Sequence, residues 1–137
     1  MELARSCRYA VQGVAYLAQR TRPGEPVLLR DVAAAIGAPE AFLSKIFQNL
    51  RGAGILRSHR GTTRGYALAR DPASITLYDV VLATEGRASL HSSEFLVGDE
   101  EARFANVWRE VEDLVASRLR ATSIRELASR PAESEKS

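Results

Sequence analysis

The stretch "ILRSHRGTTRGYALA", Ile55 to Ala69, holds Arg57, His59, Arg60 and Arg64 around Gly61 and Gly65, between two short apolar runs. Cations on a tight turn suit phosphate contact or insertion into a minor groove. The glycines let the tip turn sharply and approach a backbone closely. Thr62 and Thr63 complete the tip. A second polar set lies just upstream. Ser44, Lys45 and Gln48 share one face of a helical period, flanked by Glu40 and Arg51, with Leu43, Ile46, Phe47 and Leu50 opposite. Gln can bond adenine through two hydrogen bonds, and Lys or Arg can bond guanine. Arg5 and Arg8 offer further phosphate contacts. The lone cysteine, Cys7, lies between those arginines and just after Ser6, a plausible N-cap. A helix N-terminus and nearby cations favour thiolate, so Cys7 is a candidate redox sensor. The alternative is a small, inert, partly buried side chain.

These residues need elements to hold them. Tyr9, Ala10, Gly13, Val14, Leu17 and Ala18 recur at helical spacing within Ser6 to Arg20. "RPGEP" is a loop, and Leu29, Val32, Ala33 and Ile36 make a short second helix that stops at Gly37. Pro39 suits the first turn of a third helix, which runs to about Ala53 with Gly54 as its stop. Strands at Ile55–Ser58 and Gly65–Ala69 follow. Thr76 and Asp79 form a capping signature for a helix ending near Gly86, with Ile75 placed to staple on Val80. Residues 87–101 show no period and read as a loop. From Ala102 a long helix carries Phe104, Val107, Trp108, Val111, Leu114, Val115 and Leu119 as a continuous apolar stripe. "SIRE", Ser123 to Glu126, opens a short last helix, and residues 131–137 read as a disordered tail.

The expected fold is therefore mainly α with a small β-hairpin: a winged helix-turn-helix over residues 1–70, then a long C-terminal dimerisation helix. Residues 71–101 form a connecting helix and sensor loop, and residues 102–130 the dimerisation helix and last helix. Helix-turn-helix domains place their second helix in the major groove, and a neighbouring cationic hairpin can follow the backbone. The charge distribution agrees. Residues 1–70 carry 11 Lys and Arg against 4 Asp and Glu, and residues 71–137 carry 8 against 13. A basic front half suits a polyanion such as double-stranded DNA. The arginine bias suits phosphate and guanine, and a GC-rich genome would also produce it.

The remaining totals exclude several classes. The chain of 137 residues fits one domain with an appendage. No apolar run approaches the roughly 20 residues that span a bilayer, and no secretory pattern opens the chain, so a cytoplasmic location is expected. A single cysteine cannot make an internal disulfide. No phosphate-binding glycine loop, HExxH or paired-carboxylate pattern points to an enzyme. The rival reading is a winged helix used for protein–protein contact. Exposed aromatics or leucines on the third helix would favour it, and that face is polar.

"RYAVQGVAYLA", "DVAAAIGAPEAFLSKIFQNLRGAGILRSHRGTTRGYALAR" and "ITLYDVVLATEG" resemble the Rrf-two family of bacterial transcription regulators. The likeness is strong from Met1 to Gly86 and looser over the Trp108 helix. Arg64 stands where the family often has a glycine. The resemblance implies a homodimer paired through the long helix, with two reading helices on a roughly palindromic operator. Many members hold an iron–sulfur cluster on three cysteines between the helix after the wing and the Trp-bearing helix. Here Glu85 to Trp108 contains no cysteine, and His91 is its only soft ligand. No cluster, metal or other cofactor is expected. A small-molecule effector of unknown identity remains an option, with Leu90, Phe95, Leu96 and Val97 as candidate pocket residues.

Overall fold

The computed structural model describes residues 4–20, 22, 24–59, 65–95 and 99–130. In chain order the elements are α1 (Arg5–Arg20), β1 (Val27–Leu28), α2 (Leu29–Ile36), α3 (Glu40–Gly52), β2 (Leu56–His59) and β3 (Gly65–Leu68). A 3₁₀ turn (Pro72–Ser74), α4 (Leu77–Glu85), α5 (Arg87–Leu90), a second 3₁₀ turn (Ser92–Phe95), α6 (Asp99–Arg120) and α7 (Ile124–Ser129) complete the chain.

The core explains the order. Ala10, Val14 and Leu17 of α1 are buried with Val32 of α2, Leu43, Phe47 and Leu50 of α3, and Ile55, Leu56, Tyr66 and Leu68 of the sheet. Gly13 lets α1 and α3 close up: a Cβ there would lie 2.8 Å from Phe47 Cε1. Gly37 stops α2 in the left-handed conformation, at φ 74°, and donates its backbone N–H to the Ala33 carbonyl. Only Ala38 and Pro39 then separate it from α3, so the helix-turn-helix is tight.

Three local expectations change. The sheet has three antiparallel strands in the order β1-β3-β2, where the sequence reading had a hairpin alone. β1 is two residues long and pairs Val27 with Tyr66; so short a strand has no alternation to read. Second, α1 starts at Arg5, so Ser6 lies inside its first turn rather than capping it. Ala4 precedes the helix, accepting from the backbone N–H groups of Cys7 and Arg8 and donating its own N–H to Glu85 Oε2 at 3.2 Å. Third, residues 87–101 are not a loop throughout: α5, a 3₁₀ turn and the first residues of α6 occupy most of that span.

The capping box at α4 is complete, with Asp79 N–H donating to Thr76 Oγ1 at 3.1 Å and Thr76 N–H to Asp79 Oδ2 at 3.0 Å. Ser123 caps α7 by accepting from Glu126 N–H. The two helix starts are tied by Ile124 N–H to the Ile75 carbonyl and Leu77 N–H to the Thr122 carbonyl. These bonds return the end of α6 to the N-terminal core, where α7 packs on α1. Residues 131–137 lie outside the described residues, as does the tail expected there.

Candidate nucleic-acid interface

α3 presents two distinct sides. Leu43, Ile46, Phe47 and Leu50 are buried, which fixes the helix on α1 and α2. Glu40, Lys45, Gln48 and Arg51 are exposed on the other side, and Ser44 is half-buried between them. Gln48 Nε2 lies 3.4 Å from Ser44 Oγ, one turn back, so the amide is already oriented along the exposed face. The polar residues expected to read bases therefore do share one solvent-facing surface. Arg5 and Arg8 are also exposed, at the start of α1.

The wing is described only in part. Arg57 and His59 lie on β2 and are exposed; His59 pairs opposite Gly65 at the open end of the hairpin. Arg57 turns back toward the loop before β1, and its Nη2 donates to the Gly24 carbonyl at 3.4 Å. It steadies that loop, a role the spacing alone did not suggest. Arg60, Thr62, Thr63 and Arg64 lie outside the described residues.

Sequence reasoning missed Phe42. It is 37% exposed on α3 and meets Tyr9 of α1 edge to face, ring centroids 5.8 Å apart. Its signal was present: a large aromatic at the flank of the amphipathic period, between the buried face and the polar one. The pair buttresses the start of α3 against α1.

Cys7 does not lie at an exposed helix start. Its side chain is fully buried in the α1 core. Burial pushes the thiol pKa up, a hydrogen bond with Thr84 opposes this, and the Glu85 charge pushes it up further. The charge that bears on the thiol is the Glu85 carboxylate, not the flanking arginines. A reactive thiolate is not favoured here.

The segment after α4 is organised around a buried carboxylate. Glu112 of α6 is 5% exposed. It accepts from Ser93 Oγ at 2.6 Å, Ser92 Oγ at 2.8 Å and the Ser93 N–H at 3.3 Å. Burial opposes its ionisation, but the bonds from Ser93 and Ser92 outweigh it and hold the carboxyl below its ordinary value. Trp108 Nε1 adds a bond to Ser92 Oγ at 3.3 Å. His91 Nε2 lies 2.9 Å from Tyr78 Oη, and the Arg120 guanidinium stands 4.0 Å over the Tyr78 ring. Leu90 lines a cavity bounded also by α1, α4, α6 and α7, whereas Leu96 and Val97 lie outside the described residues.

An iron–sulfur cluster does not fit these residues. The single thiol sits in the α1 core, and the segment that would hold the cluster offers hydroxyls and one histidine already paired with tyrosine. Among the described residues, no group of three or more His, Cys, Asp or Glu side chains could share a metal ion.

On α6 the stripe is uneven. Phe104 and Val107 are each 58% exposed and Leu114 71%, with Phe104 stacked on Trp108. Val111, Val115 and Leu119 are half-buried within the chain, and the inward face is Ala105, Glu112 and Ala116.

This arrangement has close counterparts among known proteins. The HTH-type transcriptional regulator CymR of Bacillus subtilis is 30% identical over 129 residues, covering 94% of this chain and 91% of its own. The HTH-type transcriptional regulator IscR of Photorhabdus laumondii is 28% identical over 130 residues, covering 93% of this chain and 79% of its own. The solved structure of CymR, the global cysteine regulator of B. subtilis, superposes with a TM-score of 0.78 at 29% identity, covering 94% and 97% of the two chains. The family described as "Rrf2: Iron-dependent Transcriptional regulator" matches residues 3–130. With the helix-turn-helix, the β2–β3 hairpin and the long helix in place, the chain belongs to the Rrf2 family: it is a DNA-binding transcriptional regulator, not an enzyme, and one without the cysteines of an iron–sulfur site.

Proposed function

We propose that this regulator works as a cytoplasmic homodimer that represses transcription by binding a palindromic operator. α3 enters the major groove, where Lys45 and Gln48 read base edges and Ser44 and Glu40 adjust the choice. Arg51, Arg57, His59 and the wing-tip residues Arg60, Thr62, Thr63 and Arg64 supply backbone and minor-groove contacts. Arg5 and Arg8 add phosphate contacts at the edge. The observation that supports this most is the exposed polar face of α3 set opposite a buried apolar one.

Dimerisation is supported by the bare stripe on α6. Phe104, Val107 and Leu114 cost free energy in water, and a second copy covers them by the same surface on both subunits. Two copies related by a two-fold axis match a pseudo-palindromic site with half-sites about 34 Å apart. Switching is assigned to an effector other than a cluster, because Cys7 is buried and the cluster ligands are missing.

Salt titration of binding to a duplex selected from random sequence tests the reading. The expected result is an affinity that falls steeply as salt rises. Tight binding of an acidic protein with no preference among duplexes would favour a protein-docking wing instead.

A further inference from the structure

An apolar cleft of about 460 Å³ that the proposed function leaves unused lies between α1 and the C-terminal helices. Its walls come from Val11 of α1, Val81 of α4, Leu90 of α5, and Val115 and Leu119 of α6. Protein interiors pack with few voids larger than a water molecule. This cleft opens to solvent, and its apolar walls gain dispersion contacts when an apolar body displaces the water there. Its volume lies within the range of small-molecule sites, about 300–1,000 Å³, and such sites often lie between helices.

The polar groups lining it are few. Arg8 and Gln12, one turn apart on α1, are the only polar side chains on its wall, and neither has a hydrogen-bond or ion-pair partner among the described residues. A guanidinium takes a carboxylate through two parallel hydrogen bonds, and the neighbouring amide can donate to the same group. With one cation and no acid among the described residues that line the cleft, the complementary occupant has an apolar body and a single anionic head.

We propose that this cleft is the effector site of the regulator and that its ligand is an amphipathic monocarboxylate, a medium-chain fatty acid or an aromatic acid of similar size. The assignment rests on the regulatory reading above. The carboxylate pairs with Arg8 and Gln12, and the apolar body fills the space between Val81, Leu90 and Val115. The occupant touches α1, which belongs to the DNA-reading half, and α6, which carries the dimer stripe. Occupancy therefore bears on the angle between the reading helix and the rod, and Arg8 is drawn from phosphate to the ligand.

The test uses the full-length protein without DNA. The probe is 8-anilinonaphthalene-1-sulfonate, whose fused rings and single sulfonate match the cleft; it is followed by fluorescence and then displaced by decanoate or by 1-decanol. The expected result is saturable binding of one probe per chain, displaced by decanoate at least tenfold more effectively than by decanol. Arg8→Gln should bring the two competitors close to parity. Leu90→Trp, which fills the cleft from its half-exposed edge, should abolish probe binding while leaving DNA binding intact. Absence of saturable binding, equal competition by both compounds in the wild type, or unchanged binding in Leu90→Trp would overturn the proposal. So would probe binding seen only when the protein is diluted to single chains, because the cleft would then be occupied by the second copy. Binding is read on protein alone, so its failure leaves the DNA reading standing, and loss of DNA binding would not erase a positive result here.

Discussion

Single side chains divide into those that read and those that hold. Gln48 and Lys45 sit on the exposed face of α3; in the proposed function they make the sequence-dependent contacts and the wing cations act on the backbone. Gln48→Ala should therefore change the preferred sequence more than the salt dependence. Arg60→Ala or Arg64→Ala should lower affinity for all duplexes and reduce the slope of log affinity against log salt by about one each. Anisotropy titrations on two duplexes at several salt concentrations separate the effects. Cys7 behaves as core: peroxide should change the DNA affinity of the wild type and of Cys7→Ser alike, because the buried thiol resists ionisation. Glu112 holds. Its carboxyl is depressed in the folded chain, so its stabilisation is present above the ordinary glutamate value of about 4.3 and is lost as pH falls through the lower folded value. Glu112→Ala should cost about 2–3 kcal/mol in urea denaturation at neutral pH, because the Ser93 hydroxyl and amide lose their acceptor. None of this network was legible in the sequence. Glu112 lies between apolar positions of a helix otherwise rich in exposed charge, and only the fold shows that it points inward.

At the scale of elements, local chemistry explains most boundaries. The Thr76–Asp79 box, the Gly37 stop and the apolar periods of α1, α3 and α6 were readable, since each is a short-range pattern with a short-range cause. Thr76→Ala should cost about 1 kcal/mol by removing an N-cap. Gly13→Ala should cost about 1–3 kcal/mol, since the added methyl meets the fully buried Phe47 ring. Thermal or urea unfolding measures both. What escaped the sequence depends on distant partners. β1 exists because Tyr66 and Gly65 stand beside Val27 and Leu28. α5 and the turn after it are anchored by Tyr78, Glu112 and Trp108, and residues 87–95 have no periodicity of their own. The candidate reading face was legible for the opposite reason: it needs only one helical period and its polar residues. The bond from Arg57 to Gly24 was not, because it joins residues 33 positions apart.

For the whole molecule, the proposed assembly turns on the long helix. At 22 residues α6 extends about 33 Å, and its outer stripe is exposed in a single chain while its inner face rests on Glu112 and two alanines. Leu114→Asp places a charge at the most exposed apolar position and should convert a dimer into single chains in sedimentation, with a loss of operator affinity well beyond tenfold. The fold of each chain should survive, since Leu114 contributes little to its own core. The central claim is that two copies of one polar helix read one duplex together. Selection of bound duplexes from random sequence, followed by sedimentation of the complex, tests it most directly. Enrichment of an inverted repeat with half-sites about one helical turn apart, bound by an even number of chains, is the predicted result. Recovery of no common sequence, or of a single chain on an asymmetric site, would contradict the account.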